Sequence, residues 1–218
     1  MLFDTYIIKQ SPSDLNYGQL NITRESRYSS LMPWHIEQVK QAILYETQNL
    51  QINTIVDCNA HIGVDTILFR LLFKEANITS IELNKQTYDV LEQNVNNLQN
   101  IVGDHVKNIN VVHDDCLNYI FTNQYDLVYI DPPWSNSCYK QEKKINLYLS
   151  KLHLGDIINN ILRINKCLVI VKLPFNIDFP TLWNKITFNI NNLSYNIHQI
   201  LTPSGKISYL LMFIHKNL

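Results

Sequence analysis

Several features that define common protein classes are scarce or absent in this chain. Only five of its 218 residues are glycine, and its four cysteines, at positions 58, 116, 138 and 167, form no C-x-x-C pair. That spacing excludes the usual zinc-binding patterns and favours reduced thiols, so we expect no metal site. No apolar run approaches the length of a membrane span, and the first residues lack the basic start and apolar core of a signal peptide.

An excess of basic charge is also missing. The chain has 18 Lys and Arg residues against 19 Asp and Glu residues, for a formal net charge of -1. Proteins that coat long nucleic acids by counterion release generally need a basic surface, so this balance argues against that class. A short or capped nucleic-acid end stays compatible with the composition.

What the chain does have is an alternation of strand-like and helix-like segments after about residue 50, which is typical of a parallel sheet flanked by helices. Its length suits one such domain. The apolar runs predict strands, listed in order as Asn53–Asp57, Ile78–Glu82, Ile109–His113, Leu127–Asp131 and Cys167–Lys172. The helical patterns between and after them are Asp65–Lys74, Lys85–Leu98, Cys116–Phe121 and Leu154–Ile164.

Both ends of the chain depart from this alternation. Tyr195–Leu201 and Ile207–Ile214 predict two strands joined by a turn that contains Pro203 and Gly205, which indicates an antiparallel hairpin. At the other end, Pro33 opens a predicted helix. We therefore expect an N-terminal extension, residues 1–33, that covers the active site, and one domain over residues 34–218.

The Asp131-Pro132-Pro133-Trp134 corner follows an apolar run that reads as a buried strand. Each proline fixes its own φ and lacks an N–H, so the Asp131 carboxylate and the Pro132 carbonyl remain available as acceptors beside the flat ring of Trp134. An exocyclic amine on a nucleobase is a weak nucleophile whose lone pair such acceptors localise. The corner therefore favours methyl transfer to such an amine, with Asp131, Pro132 and Trp134 as its catalytic residues.

Acidic residues also end or closely follow three of the other predicted strands, at the edge where ligands bind in an open α/β sheet. Asp57 leads into a loop with Gly63, Glu82 is placed to accept ribose hydroxyls, and Asp115 is placed to accept an adenine amino group. Together with Asp131 this series predicts an S-adenosylmethionine pocket beside a base pocket. The remaining residues that we expect to line the cofactor are Ala60, Asp65, Thr66, Leu83 and Cys116.

With these motifs the chain resembles the trimethylguanosine synthase family of RNA cap guanine-N2 methyltransferases, including the forms found in large DNA viruses. The resemblance covers about residues 28–214 and rests on Tyr28–Pro33, on Asp57–Thr66, on Asp131–Trp134 and on Leu173-Pro174-Phe175-Asn176-Ile177-Asp178. It implies a class I, Rossmann-like methyltransferase fold, with a mostly parallel seven-stranded sheet, an antiparallel C-terminal strand and helices on both faces. It also implies S-adenosylmethionine as the cofactor, a capped RNA 5′ end as the partner, and a soluble protein of the cytoplasm.

By the same resemblance, Trp134 would stack on a positively charged 7-methylguanine, and Asn94 and Asp131 would orient its N2 amine. The other substrate-binding positions that the resemblance implies are Ser30, Tyr139, Pro174 and Asn176. Phe175 stands where the family commonly has an Arg or Lys that contacts cap phosphates, and we expect Lys140, Lys143, Lys144 and Lys172 to supply that charge instead. His61 and Val64 replace loop glycines, and Ser135-Asn136 replaces a glycine pair after the tryptophan.

Two other readings stay open. An Asp-Pro-Pro-Trp corner serves adenine-N6 methylation of RNA or DNA as well as it serves guanine N2. The missing glycines and Phe175 also allow a catalytically silent methyltransferase fold that acts as a subunit or binding module, because a fold does not by itself imply a function.

Overall fold

Strands and helices alternate along most of the chain in the computed structural model, which describes residues 20–21, 33–102, 108–134, 138–188 and 190–216, with the backbone alone at 33 and 98–102. The helices are α1 (Pro33–Thr47), α2 (Val64–Leu72), α3 (Lys85–Val102), α4 (Leu117–Ile120), α5 (Leu154–Ile164) and α6 (Phe179–Asn184). The strands are β1 (Thr54–Asp57), β2 (Asn77–Glu82), β3 (Ile109–His113), β4 (Leu127–Ile130), β5 (Tyr148–Leu149), β6 (Leu152–His153), β7 (Leu168–Leu173), β8 (Leu193–Leu201) and β9 (Ile207–Lys216).

Seven of these strands form one sheet in the order β3-β2-β1-β4-β7-β9-β8. The first five are parallel to one another, whereas β9 lies between β7 and β8 and runs antiparallel to both. This arrangement confirms the predicted architecture, including the C-terminal hairpin. Gly205 adopts a φ of 78° in the hairpin turn, a backbone conformation that favours glycine.

Side chains of the central strands alternate between two hydrophobic cores, one on each face of the sheet. In β4, Leu127 and Tyr129 belong to one core, and Val128 and Ile130 belong to the other. The helices α1 and α2 pack on the first face, and α4, α5 and α6 pack on the second. Burial on both faces explains why these strands are continuously apolar in the sequence rather than alternating.

The strands β5 and β6, which were not predicted, form a separate hairpin. The helix α6, which contains Trp183, begins directly after Asp178. Of the predicted N-terminal extension the structure describes Leu20, Asn21 and the backbone of Pro33, so its role as a cover stays a prediction, and Ser30 lies outside the described residues. Within the described ranges no helix is long and apolar enough to cross a membrane.

Candidate active site

The acidic residues that the sequence places at strand ends lie along one edge of the sheet. Asp57 ends β1, Glu82 ends β2, and Asp131 follows β4, while Asp115 comes two residues after β3. Because these four strands are parallel, their carboxyl ends meet at the same edge. The structure therefore gathers the predicted acidic series into one region.

Asp57 is fully buried at the start of the loop that links β1 to α2. The Thr66 hydroxyl donates to its Oδ2 at 2.7 Å, whereas Oδ1 is buried and has no hydrogen-bond partner among the described residues. Burial and the nearby Asp65 raise the pKa of Asp57 to about 8. The carboxyl group is consequently protonated at neutral pH in the free protein.

The backbone of this loop is left-handed at two positions, His61 with a φ of 52° and Gly63 with a φ of 90°. A Cβ atom on Gly63 would lie 2.7 Å from Cδ1 of Leu91, so no larger residue fits there without a shift. His61 keeps the left-handed backbone although it replaces a glycine of the family pattern, and Val64 becomes the first residue of α2. The loop thus retains its turn in spite of both departures.

Glu82 ties the loop to the end of β2. Its Oε2 accepts from the backbone N–H of His61 at 3.0 Å, and its Oε1 accepts from the N–H of Asn84 at 2.7 Å. Burial raises the pKa of Glu82, and these hydrogen bonds oppose the rise. The backbone N–H of Leu83 also interacts with this carboxylate, which still keeps acceptor capacity that fits the predicted contact with ribose hydroxyls. The next residue, Leu83, is exposed.

Asp115 makes one contact that the sequence did not indicate. Its Oδ1 accepts from the N–H of Leu117 at 3.0 Å, and its Oδ2 accepts from the hydroxyl of Ser150, which lies in the turn of the β5–β6 hairpin. Ser150 and Lys151 both have a positive φ in that turn. The hairpin therefore reaches the predicted adenine end of the pocket, where Cys116 is buried.

Asp131 forms an ion pair with Lys172 of β7, with 2.6 Å between Oδ2 and Nζ. Burial raises the pKa of Asp131 to about 6, although Lys172 opposes the rise. Burial also lowers the pKa of Lys172, but Asp131 and Asp65 raise it by more, so the lysine stays charged. Lys172 is therefore a buried partner of Asp131, and its ammonium is not at the surface, where a phosphate contact is expected from the sequence.

Aromatic side chains form a wall beside this ion pair. The Trp134 ring lies edge-on to Tyr139 at 5.4 Å and is tilted against Tyr209 of β9 at 6.3 Å. The ammonium of Lys172 lies 5.2 Å from the centre of the Tyr209 ring. Tyr209 is thus the residue that joins the aromatic wall to the Asp131–Lys172 pair, and the sequence did not single it out.

His35, near the start of α1, packs edge-on against Tyr209 with 5.0 Å between ring centres. Burial, followed by the charge of Lys172, lowers the pKa of His35 to about 4, so the ring is neutral. Trp34 Nε1 donates to His35 Nε2 at 3.1 Å, which places the remaining proton on Nδ1. That Nδ1–H and the Tyr209 hydroxyl are both buried and have no hydrogen-bond partner among the described residues.

The segment Leu173–Asp178 holds the loop that follows Trp134. Asn176 Nδ2 donates to the backbone carbonyls of Tyr139 and Glu142, each at 2.8 Å. Its Oδ1 is buried and unpaired within the described ranges, and Pro174 is buried beside it. Phe175 is 44% exposed. The segment therefore supports Tyr139 and the aromatic wall.

The lysines of this loop are exposed. Lys144 pairs with Asp178 at 3.2 Å, and the Lys140 ammonium lies 5.8 Å from the centre of the Tyr139 ring. Of these lysines, Lys140 is thus the one that is seen next to the aromatic wall, at Tyr139. No group of three His, Cys, Asp or Glu side chains in the described part of the chain is arranged to hold a metal ion.

Asn94 occupies a different place from the one that the resemblance implies. Its side chain is fully buried, and its amide hydrogen bonds go to the backbone of Asn21 and Ile62. Because the side chain is fully buried, a contact with the base to be methylated would require the surrounding groups to move. The structure instead puts Asn94 between the N-terminal segment and the β1–α2 loop.

Comparison with known proteins adds a family. The family model described as RNA cap guanine-N2 methyltransferase matches residues 52–217. An uncharacterized protein of Acanthamoeba polyphaga mimivirus is 27% identical over 164 residues, which are 73% of this chain and 61% of that protein. The chain therefore spans less than two thirds of the length of this curated relative.

Solved structures with low sequence identity share the fold. PH1948 from Pyrococcus horikoshii superposes with a TM-score of 0.57 at 15% identity, covering 91% of this chain and 92% of its own. An rRNA methylase from Streptococcus thermophilus gives 0.52 at 14% identity, covering 87% and 99%. A mutant of MtNAS, solved in complex with S-adenosylmethionine, gives 0.52 at 11% identity, covering 85% and 63%. These comparisons confirm the Rossmann-like fold. The family and the fold also support the predicted cofactor, S-adenosylmethionine.

Proposed function

The chain belongs to the RNA cap guanine-N2 methyltransferase family, and from this premise we propose that it transfers a methyl group from S-adenosylmethionine to N2 of a 7-methylguanosine RNA cap. The observation that carries the proposal is the Asp131 corner: a carboxylate held by a buried lysine, directly after a buried strand, beside an aromatic wall. The acceptor amine would lie between this carboxylate and the donor pocket.

The donor pocket fits the cofactor on several observations. Asp57 has an unpaired buried oxygen, Gly63 allows a close approach of the backbone, and Glu82 and Asp115 retain lone pairs at the ends of β2 and β3. These residues would hold the donor, with Ala60, Asp65, Thr66, Leu83 and Cys116 around it. When bound, S-adenosylmethionine supplies an electrophilic methyl group on a positively charged sulfur.

Asp131 has two roles in the proposed reaction. Its carboxylate accepts an N–H of the amine and localises the nitrogen lone pair, and Lys172 fixes the direction of the carboxylate. As the nitrogen–carbon bond forms, the amine must lose one proton. A carboxylate with a pKa of about 6 takes this proton more readily than one with an ordinary pKa. The Pro132 carbonyl would accept the second N–H.

The aromatic wall supports a purine as the acceptor. Trp134 offers a ring face for stacking, and a 7-methylguanine carries a positive charge that strengthens such a contact. Tyr139, held by Asn176, packs against the edge of that indole. We therefore assign the base to the space next to Trp134, with Pro174 and Asn176 behind the supporting loop.

The unpaired donors favour guanine over adenine. Guanine has a keto oxygen at C6 and an amine at C2, whereas adenine has an amine at C6. The Nδ1–H of His35 is a donor without a partner in the described ranges, and a keto oxygen accepts from it while an amine does not. The Tyr209 hydroxyl, also unpaired in these ranges, can donate to the same keto oxygen. A site built to hydrogen-bond one group rejects an analogue that leaves its donors unpaired.

Mass-resolved methyl transfer to a panel of acceptors tests the proposal. A 7-methylguanosine cap analogue should be methylated, whereas unmethylated cap, an adenine-containing oligonucleotide and a 2,6-diaminopurine cap should react at least roughly tenfold more slowly. Preferred transfer to adenine would replace the proposal with N6 methylation. Donor binding with no acceptor methylated would instead favour a silent subunit with a protein partner.

A further inference from the structure

Asn94 joins two parts of the chain that are far apart in sequence. Its Oδ1 accepts from the backbone N–H of Asn21 at 2.7 Å, and its Nδ2 donates to the carbonyl of the same residue at 3.0 Å. The same Nδ2 also donates to the carbonyl of Ile62 at 2.8 Å. The fully buried side-chain amide of Asn94 is therefore hydrogen-bonded both to the backbone of Asn21 and to the loop between β1 and α2.

The Ile62 carbonyl lies at the strained part of that loop, between the left-handed residues His61 and Gly63. The helix α3 holds this part from one face. Leu91 abuts Gly63, and Asn94, three residues later on the same face of the helix, holds Ile62. The conformation of the loop therefore depends on this face of α3. Since the loop would contact the methyl donor, the affinity of the protein for the donor depends on the same face.

The N-terminal segment is anchored by packing as well as by Asn94. Leu20 is only 5% exposed and belongs to the same hydrophobic core as Ile62 and Val64. Leu20 thus anchors the segment in the core, whereas the hydrogen bonds that connect Asn21 to the loop between β1 and α2 run through the amide of Asn94.

We propose that Asn94 is a positioning residue that couples docking of the Leu20–Asn21 segment to binding of the methyl donor. This inference rests on the proposed function only in that the 58–63 loop holds S-adenosylmethionine. A docked segment orients the Asn94 amide toward Ile62 and so holds the loop in its binding conformation. By thermodynamic reciprocity, a bound donor that fixes the loop strengthens docking of the segment by the same factor.

Binding of S-adenosylhomocysteine, measured by calorimetry on the full chain, tests the coupling in a double-mutant cycle. Leu20→Ala weakens docking of the segment without touching α3, and Asn94→Ala removes the connection. Each single change should weaken binding by about 5-fold or more, the usual lower range of such couplings. In the Asn94→Ala background, Leu20→Ala should have no further effect.

Asn96→Ala is the matched control, because Asn96 is an exposed asparagine of the same helix and, within the described ranges, forms no hydrogen bond with Asn21 or with the loop. Its affinity should stay within about twofold of wild type, the usual additivity error. Hydrogen exchange gives a second readout. If Asn94 had only a structural role, ligand binding would not change the exchange rate of the Asn21 amide. Saturating S-adenosylhomocysteine should slow exchange at the Asn21 amide in the wild type and leave it unchanged in Asn94→Ala.

Independent effects of the two changes on affinity, or equal protection of Asn21 with and without ligand, would overturn the coupling while leaving the proposed function intact. A wild-type chain that binds no S-adenosylhomocysteine would overturn both. Transfer to adenine rather than to a cap would change the proposed acceptor and leave the coupling standing.

Discussion

At the scale of single residues, the carboxylate of Asp131 is the group on which the proposed chemistry depends most. Asp131→Asn keeps the shape of the side chain but removes its charge and its ability to take a proton. We expect kcat to fall by about 100-fold or more, since the loss of one preorganised electrostatic contact has that effect. Single-turnover methyl transfer, with donor affinity measured in parallel, checks this, and donor affinity should change little.

A buried lysine without its partner would also destabilise the protein, which could imitate a catalytic effect. Combining Asp131→Asn with Lys172→Met removes both members of the pair and should recover thermal stability without recovering transfer. If the double variant regains activity, Asp131 acts only through folding.

The raised pKa of Asp57 predicts an unusual dependence of the protein's stability on pH. Its pKa is about 8 in the folded protein against an ordinary value of 3.8, so between these values the folded state binds more protons than the unfolded state. The free energy of unfolding therefore falls as pH rises, by up to about 1.4 kcal/mol per pH unit. Thermal unfolding at pH 6.5 and pH 8 should show a decrease for the wild type, and Asp57→Asn should flatten it. An equal decrease in both proteins would contradict the assignment.

The residues that the sequence could predict are those whose position follows from a strand end. Asp57, Glu82 and Asp131 each close an apolar run, and runs of this kind are local features of the sequence. Contacts between residues far apart in the sequence were not predictable. Lys172 is 41 positions from its partner Asp131, and Asn94 is 73 positions from its partner Asn21. Only the packing of the folded chain brings such pairs together.

At the scale of secondary-structure elements, the position of α1 depends on a buried carboxylate. Glu46 accepts from His198 at 2.6 Å, from His215 at 2.8 Å and from Asn196 at 3.0 Å, and these three residues lie on β8 and β9. This cluster fixes the end of α1 to the outer part of the sheet. Because His35 lies at the other end of α1, we expect the cluster also to help position the proposed base pocket.

Glu46→Ala should therefore raise the acceptor KM and leave donor affinity unchanged. We also expect the melting temperature to fall by roughly 4–8 °C, as three polar groups lose a shared partner at a cost of about 2 kcal/mol. Steady-state kinetics and thermal unfolding check both effects. Glu37→Gln, on the exposed face of the same helix, is the control and should change neither quantity.

Most elements were predictable because their apolar patterns are long. The helix Leu154–Ile164 and the strand Ile109–His113 match the prediction at both ends. The hairpin of β5 and β6 has two residues in each strand, too short for a periodic pattern, and its turn uses Ser150 and Lys151 at positive φ instead of glycine. No local feature of the sequence predicts such a turn.

At the scale of the whole molecule, the nearly balanced charge limits how RNA is bound. Proteins that neutralise many phosphates lose affinity steeply as salt rises. With a net charge of -1, we expect a capped 30-mer to bind within about tenfold of a cap dinucleotide, and its affinity to change little with salt. Fluorescence anisotropy at several salt concentrations checks this. A steep slope for the long RNA would indicate an extended basic surface.

The position of β9 has a consequence for how the protein is made. This strand is the last of the sheet in chain order, yet it lies between β7 and β8 and carries Tyr209 to the aromatic wall beside Trp134. On the ribosome, β7 therefore keeps an unpaired edge, apolar except for Lys172, until residues 207–216 have emerged. We therefore expect a nascent chain to cover this aggregation-prone edge and to complete the proposed base pocket in the same step.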